Sequence, residues 1–250
     1  MQSTLDLMLS TNRAVNQEGH EIEIHSNIGR DSVNKIRELI QTIDIQRSLE
    51  VGMASGISTL AILGAHSGHH IAVDPNQTSG GRDGWQGIGL TAVRNAGLED
   101  RFTLLEESSH LALPRLSESE QFDFIFIDGW HSFDYTLMDI FYSDLLLRDG
   151  GVLVVDDWGM PQVAFALKFL IAHKPYEQLG PRLEDPLNPF TKLRRRFKKN
   201  YDKGWGSIRA FRKLHSSQVP WHFFESSFYP WFQIYQVWMK LRGLKINKPF

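Results

Sequence analysis

The chain has 250 residues, of which 42% are hydrophobic and 22% are charged, with no cysteine and a formal net charge of −2. This length suits one large α/β domain or two small ones, and the composition excludes disordered and fibrous proteins. The lack of cysteine excludes a disulfide scaffold, a thiolate metal site and a cysteine nucleophile. No apolar run is long enough for a membrane-spanning helix and the N-terminus lacks the layout of a signal peptide, so we expect a cytoplasmic protein.

The small net charge conceals two parts of opposite charge. Residues 1–191 hold 13 Lys and Arg against 27 Asp and Glu, whereas residues 192–250 hold 14 against 2. A proline-containing stretch before residue 191 is typical of a loop that leaves a domain. We therefore predict a core with N-terminal helices over 1–191 and a basic, aromatic C-terminal extension over 192–250.

Helix-like and strand-like periods alternate along the first part of the chain, which is typical of βαβ units in a parallel, doubly wound sheet. The strands are short and apolar on both faces, as strands between two helix layers are. The predicted elements in chain order are a helix from Asp31, a strand at 48–52, a helix at 58–65, a strand at 71–74, a helix at 90–96, a strand at 101–106, a helix at 111–116, a strand at 122–128, a helix at 135–147, a strand at 151–157 and a helix at 162–172.

The first predicted strand runs into a helix through small residues at 52–56. Small residues let a ligand approach the backbone, and the helix start offers free amide donors; an ordinary tight turn is the alternative. The segment lacks both the Gly-x-Gly-x-x-Gly pattern of dinucleotide sites and the Gly-Lys-Ser/Thr of phosphate-binding loops. Asp74 ends the next strand, where a carboxylate can accept both hydroxyls of a ribose; a turn before Pro75 is the alternative.

The segment Glu50-x-Gly52-x-Ala54-x-Gly56, followed by Asp74, resembles motifs I and II of class I S-adenosylmethionine-dependent methyltransferases over about residues 20–175. The resemblance implies a Rossmann-like, mostly parallel seven-stranded sheet, with residues 206–214 as its last strand. It implies S-adenosylmethionine as cofactor, with Asp74 on the ribose and Glu50 supporting the loop. The full set of cofactor-binding residues implied in this way is Glu50, Gly52, Ala54, Ser55, Gly56, Asp74, Ser108 and Asp128. Ala54 departs from the glycine that many members have.

Three carboxylates follow two neighbouring predicted strands, namely those of Asp128, Asp156 and Asp157. Carboxylates that converge in one crevice repel one another unless they are protonated, hydrogen-bonded or bound to a cation. Oxygen ligands favour Mg²⁺, with Ca²⁺ or Mn²⁺ as alternatives. Such an ion would orient a diol and lower the pKa of the hydroxyl that is methylated. A turn at Asp128-Gly129 and helix capping by Asp156 or Asp157 are the other interpretation.

His131 lies three residues after Asp128, at the start of a predicted helix. An imidazole there suits a general base that removes a proton from a metal-bound hydroxyl. A histidine that only helps to cap the helix is the alternative.

The longer pattern IDGWHSFDY…DLLLRDGGVLVVDDW resembles the methyltransferase subgroup that contains cephalosporin-hydroxylase-like proteins and macrolide-sugar O-methyltransferases. This resemblance implies that Asp128, Asp156 and Asp157 are metal ligands and that His131 is the base. Sugar-methylating members tend to have Glu-Asp where this chain has Asp156-Asp157.

We therefore predict metal-assisted O-methyl transfer from S-adenosylmethionine to a small hydroxylated acceptor, either a sugar or a glycosylated metabolite. A nicotinamide-dependent sugar oxidoreductase is one alternative, and a non-catalytic module that docks on a membrane or nucleic acid through its basic tail is another.

Residues 192–213 contain ten basic residues and one acid, and aromatic residues at 231–238 have helical spacing. This composition allows the extension to pack against the core or a second subunit, to bind an anionic substrate, or to contact a membrane surface. Binding of nucleic acid is the least favoured role.

Overall fold

The fold is that of a computed structural model, which describes residues 3–25, 28–79, 84–183 and 204–216. Its centre is a seven-stranded sheet made of β3 (Arg47–Val51), β4 (His69–Val73), β5 (Phe102–Leu105), β6 (Phe122–Ile127), β7 (Leu147–Val155), β8 (Tyr176–Leu179) and β9 (Arg209–Lys213). The strand order is β5-β4-β3-β6-β7-β9-β8, and β9 runs antiparallel to its two neighbours. A separate hairpin of β1 (Arg13–Val15) and β2 (Glu21–Glu23) precedes these strands.

Helices cover both faces of the sheet. The helices are α1 (Thr4–Thr11), α2 (Arg30–Ile40), α3 (Ile57–Leu63), α4 (Ile88–Asn95), α5 (Ser109–Leu116), α6 (Phe133–Leu146) and α7 (Pro161–His173), with a 3₁₀ turn at Glu99–Arg101. The first four helices pack on one face with Phe124 and Phe126, and the last three pack on the other with Ile125 and Ile127. Because successive side chains of a strand point to opposite faces, every residue of β6 is buried.

The predicted doubly wound, mostly parallel sheet is confirmed, and the predicted elements differ from the observed ones only by a few residues at their ends. The prediction over 206–214 is confirmed as β9, the antiparallel strand. The N-terminal helices were predicted without bounds, and α1 lies there; the β1–β2 hairpin and β8 were missed. The hairpin is missed because its strands are three residues long and mostly exposed, so they lack a readable apolar alternation.

Most of the predicted C-terminal extension lies outside the described residues, including the basic run before residue 204 and the aromatic segment at 231–238. Within the described ranges, no helix is both long and apolar enough to cross a bilayer.

The strand order reverses direction beside β3. The chain proceeds from β3 to β4 and β5 on one side, and then returns to β6 and β7 on the other. At such a switch point the loops that follow two neighbouring strands separate and leave a crevice at the carboxyl ends. The crevice therefore lies between the ends of β3 and β6, at Gly52 and Asp128.

Candidate functional site

The loop between β3 and α3 passes very close to the turn after β6. Gly52 has φ +89°, and a Cβ atom there would lie 2.1 Å from the carbonyl oxygen of Asp128. Gly56 has φ +83° and ends the loop at the start of α3. Ala54 has φ +47°, so it occupies the left-handed conformation for which glycine is the usual residue. The small residues of this loop are therefore required by backbone conformation at these positions and by crowding at Gly52.

Asp74 holds this loop through hydrogen bonds. Its Oδ2 atom accepts from the backbone amides of Met53 at 3.0 Å and Ala54 at 2.9 Å, and from Nε2 of Gln77 at 3.1 Å. Its Oδ1 atom accepts from the amide of Asn76 at 2.9 Å. The side chain is buried at the end of β4, so it connects the first two strand-end loops. Its predicted contact with a ribose stays a prediction.

Glu50 lies fully buried on the α3 side of β3. Its Oε2 atom accepts hydrogen bonds from Oγ1 of Thr59 and from Nε2 of His70, the latter at 3.3 Å. Glu50 thus contacts the helix that follows the loop, because Thr59 belongs to α3; its predicted role as a support for the loop stays a prediction.

The two predicted serines lie on different loops. Ser55 is buried within the glycine loop. Ser108 is the N-cap residue of α5, and its carbonyl accepts from the amides of Leu111 and Ala112, whereas its hydroxyl makes no capping bond. Their predicted contacts with the cofactor remain predictions.

Asp128, His131 and Asp157 come together at the ends of β6 and β7. One ligand atom from each lies within 4.8 Å of the others, and all three residues are partly exposed. Nε2 of His131 lies 3.4 Å from Oδ2 of Asp157. Burial, together with the charges of Asp156, Asp157 and Glu50, raises the pKa of Asp128 well above its usual value. A bound cation would offset this repulsion.

Asp156 is close to this group but is not a member of it. Its side chain is buried, and its Oδ1 atom accepts from the amide of Asp157 at 2.8 Å. Burial raises its pKa, whereas hydrogen bonds from Ser207 and from the Asp157 backbone oppose the shift. The left-handed backbone of Asp157, with φ +50°, turns the chain immediately after the strand. The structure therefore groups His131, rather than Asp156, with the other two carboxylates, and the ligand role of Asp156 stays a prediction.

Asp139 is a buried carboxyl beneath the site that sequence patterns missed. It lies on α6 with 1% of its surface exposed, and its Oδ2 atom is 3.5 Å from the point that a Cβ on Gly129 would occupy. Burial raises its pKa to about 7, and neither carboxyl oxygen has a hydrogen-bond partner among the described residues. The sequence offers no signal for it beyond an acidic residue next to the buried Ile140 in a predicted helix.

The crowding at Gly52 predicts a large loss of stability on substitution. We expect Gly52→Ala to lower the free energy of unfolding by at least about 3 kcal/mol, because left-handed strain is added to a clash with the Asp128 carbonyl. Gly97→Ala is the matched control, since φ is +68° but nothing lies within 4 Å of its Cβ position; a loss of about 1 kcal/mol is expected there. Urea unfolding of both variants measures the difference, and equal losses would contradict the close approach.

The raised pKa of Asp139 predicts a pH-dependent stability. The Asp139 carboxyl binds its proton more tightly in the folded state than in the unfolded chain. Its contribution to the free energy of unfolding is therefore fully present below about pH 4 and is lost as the pH rises to about 7. Asp139→Asn keeps the shape without the charge. We expect this variant to be more stable than the parent by roughly 4 kcal/mol at pH 8 and nearly equal at pH 4. Urea unfolding at several pH values measures this, and parallel pH profiles would refute it.

Comparisons with known proteins agree with this geometry. Residues 49–158 match a family model described as a methyltransferase domain. The catechol O-methyltransferase B of Danio rerio is 27% identical over 158 residues, which is 60% of this chain and 57% of that protein. The chain thus aligns with little more than half the length of this curated relative.

Solved structures show the same fold. An O-methyltransferase from Bacillus cereus in complex with SAH is 18% identical, with a TM-score of 0.57, over 75% of this chain and 83% of that one. The O-methyltransferase TomG from Streptomyces achromogenes, in complex with SAM, is 15% identical, with a TM-score of 0.57, over 75% and 81%. The family match over residues 49–158 is to a methyltransferase domain, and together with the sheet order and the glycine loop it supports a class I S-adenosylmethionine-dependent methyltransferase.

Proposed function

We propose that this protein transfers a methyl group from S-adenosylmethionine to an oxygen of a small hydroxylated acceptor, with the help of a divalent metal ion. The observation that carries this proposal is the close approach of the glycine loop to Asp128, whose carboxyl group adjoins His131 and Asp157. A cofactor-type loop and an acidic group with a potential base thus share one crevice.

The loop fits the cofactor because it turns the chain at the carboxyl end of β3, where sheets of this topology bind their ligands. Gly52 to Gly56 would surround the methionine part, and Asp74 keeps that loop in place from below. When bound, S-adenosylmethionine supplies an activated methyl group on sulfur. The contribution of the chain is to hold the acceptor oxygen in line with that methyl and to exclude water.

The acidic group fits a hard divalent ion such as Mg²⁺. Asp128 and Asp157 offer carboxylate oxygens. Burial and, after it, the charges of Asp156, Asp157 and Glu50 raise the pKa of Asp128, and a cation would offset the repulsion from those charges. A metal ion in this position would orient the acceptor and make its hydroxyl more acidic. The proposed third carboxylate, Asp156, would help to orient Asp157, because its buried Oδ1 atom accepts a hydrogen bond from the Asp157 amide.

His131 is the proposed general base. Its Nε2 atom would receive the proton of the acceptor hydroxyl as the oxygen takes the methyl group, and Asp157 at 3.4 Å would stabilise the resulting imidazolium. The products are then the methyl ether and S-adenosylhomocysteine, with the proton left on His131.

Apolar side chains near this site suggest an acceptor with a ring. Trp130, which is 73% exposed, directly precedes His131, and Met160 lies just after Asp157. Sugars and catechols both place adjacent hydroxyls on a ring that can pack against such side chains. We therefore propose an acceptor with vicinal hydroxyls, and a sugar or glycosylated metabolite remains our first choice.

Isothermal titration of the full chain with S-adenosylhomocysteine, in the presence of Mg²⁺, tests the cofactor proposal. We expect saturable binding with one site per chain. Absence of binding would overturn the proposed function. Methyl transfer from labelled S-adenosylmethionine to a panel of sugars, glycosides and catechols would then define the acceptor class. The comparisons lend no support to the nicotinamide or docking alternatives, and NADH added to the same titration should not bind.

A His131→Ala variant tests the base. We expect kcat to fall by roughly 100-fold, since general-base catalysis contributes about that much or more, while the affinity for S-adenosylhomocysteine stays nearly unchanged. Assays use the best acceptor from the panel. An unaltered kcat would return His131 to a capping role at the start of α6.

Three further proposals concern the whole chain. They are the domain division at residue 191, a cytoplasmic location, and a role for the extension in homo-oligomer formation or in contact with a membrane surface. They rest on composition and on the opposite charges of 1–191 and 192–250.

A further inference from the structure

A connected row of polar side chains runs through the core beneath the glycine loop. Ser48 lies directly opposite His70 in the register of β3 and β4, and Glu50 is the next residue on the same face of β3. Oγ of Ser48 lies 2.9 Å from Nε2 of His66 and 2.8 Å from Nδ1 of His70. Nε2 of His70 in turn lies 3.3 Å from Oε2 of Glu50. Three of these four residues, Ser48, Glu50 and His70, are fully buried.

One backbone amide sets the direction of every hydrogen bond in this row. The amide of Gly68 donates to Nδ1 of His66 at 3.0 Å, so that nitrogen has no proton. Burial lowers the pKa of His66 to about 4, so its imidazole is neutral at pH 7 and has its proton on Nε2. Nε2 of His66 therefore donates to Ser48 and the Ser48 hydroxyl donates to Nδ1 of His70. The remaining ring nitrogen of His70, Nε2, donates to Glu50.

The hydrogen bond that His70 donates is important because few groups donate hydrogen bonds to the Glu50 carboxyl. Oε2 accepts from His70 and from Thr59 in the first turn of α3. Oε1 is buried and has no hydrogen-bond partner among the described residues. Loss of one donor from a buried carboxyl that has so few is costly. The same carboxyl links β3 to α3 across the loop at 52–56, so its position influences the geometry of that loop.

We propose that His70 is a positioning residue for the cofactor loop, which acts through Glu50 and is itself fixed in a single tautomer by Ser48 and His66. The ring of Phe102 on β5 packs beside that of His70, with centroids 6.1 Å apart, and restricts its rotation. This inference rests on the proposed function, because it assigns a role in the binding of S-adenosylmethionine.

Two substitutions separate the effect of the Nε2 hydrogen bond from the effect of losing the ring of His70. His70→Gln places an amide nitrogen where Nε2 stands and can still donate to Glu50, whereas the shorter His70→Asn reaches only the position of Nδ1. We expect His70→Gln to bind S-adenosylhomocysteine within about threefold of the parent and His70→Asn to bind about tenfold more weakly. His69→Asn is the matched control, since His69 contacts Thr103 rather than Glu50, and its affinity should not change.

Isothermal titration, with thermal unfolding of each variant, distinguishes the outcomes. No binding by the parent protein would overturn the proposed function itself. Binding by the parent with equal affinities for the two His70 variants, whether both weak or both strong, would overturn the role of the donor. A selective loss in folded His70→Asn supports it.

Nuclear magnetic resonance of the parent protein tests the same inference without any substitution. Long-range ¹H–¹⁵N correlation of histidine-labelled protein at pH 7 should show the proton of His66 on Nε2, and should show Nδ1 of His70 as the acceptor and Nε2 as the donor. Ser48→Ala should release His70 from this single tautomer while it leaves the ring of His69 unchanged. A His70 ring protonated on Nδ1, or on both nitrogens, in the parent would contradict the proposal.

Discussion

Replacement of Asp74 by alanine is expected to lower the affinity for S-adenosylhomocysteine by at least about 1000-fold. The carboxylate accepts two amides of the glycine loop, the amide of Asn76 and the side chain of Gln77. Hydrogen bonds to a charged group contribute about 1.5–3 kcal/mol each, and about 4 kcal/mol corresponds to that loss of affinity. The amides of Met53 and Ala54 would lose their acceptor, so the loop would no longer keep its left-handed conformation.

Isothermal titration measures this loss, and two further variants control it. Asp74→Asn keeps one acceptor oxygen for the loop amides but cannot accept from Asn76, so its affinity should lie between those of the parent and Asp74→Ala. Asp100→Ala alters an exposed carboxylate away from the loop and should bind as the parent does. Unchanged affinity of a folded Asp74→Ala protein would show that this carboxylate supports neither the loop nor the cofactor.

Loss of the carboxylate at Asp128 is expected to abolish binding of a divalent ion. Asp128 and Asp157 are the two carboxylates in the three-residue group, and hard ions are bound chiefly through carboxylate oxygens. Asp128→Asn preserves the shape of the side chain but removes its charge. We expect the affinity for Mn²⁺ to fall by at least about 1000-fold in this variant and in Asp157→Asn. Electron paramagnetic resonance of free Mn²⁺ measures the bound fraction directly.

Asp156→Asn is the informative comparison within this experiment. Because Oδ1 of Asp156 accepts from the Asp157 amide, the carboxyl of Asp156 is already engaged. We expect its substitution to weaken Mn²⁺ binding less than Asp128→Asn does. An equal loss would restore Asp156 as a ligand, as the sequence predicts. Full Mn²⁺ affinity in Asp128→Asn would remove Asp128 from the proposed metal site.

Much of the fold is readable from the sequence because apolar periodicity is a local property. The buried run of β6 and the strand-end positions of Asp74 and Asp128 follow from that periodicity and from the rule that parallel strands end at one edge. The hairpin and β8 cannot be predicted in this way because they are short and only partly buried.

The polar network beneath the loop is not readable in the same way. His66, Ser48 and His70 show no motif, and their contacts depend on the register between β3 and β4. Asp139 likewise acquires its raised pKa only from burial beneath Gly129. Register and burial arise from the packing of segments that are distant in sequence, so a single segment does not reveal them.

The sequence by itself determined that acidic residues stand at the carboxyl ends of neighbouring parallel strands, beside a loop of small residues. Only the tertiary structure decided which of them meet, because a side chain beyond the end of a strand is directed by loop torsions and not by the alternation of the strand. The positive φ of Asp157 separates it from Asp156 and brings it to His131. The same packing buries Asp128 and brings Asp156, Asp157 and Glu50 near it, and burial together with these charges raises the pKa of Asp128.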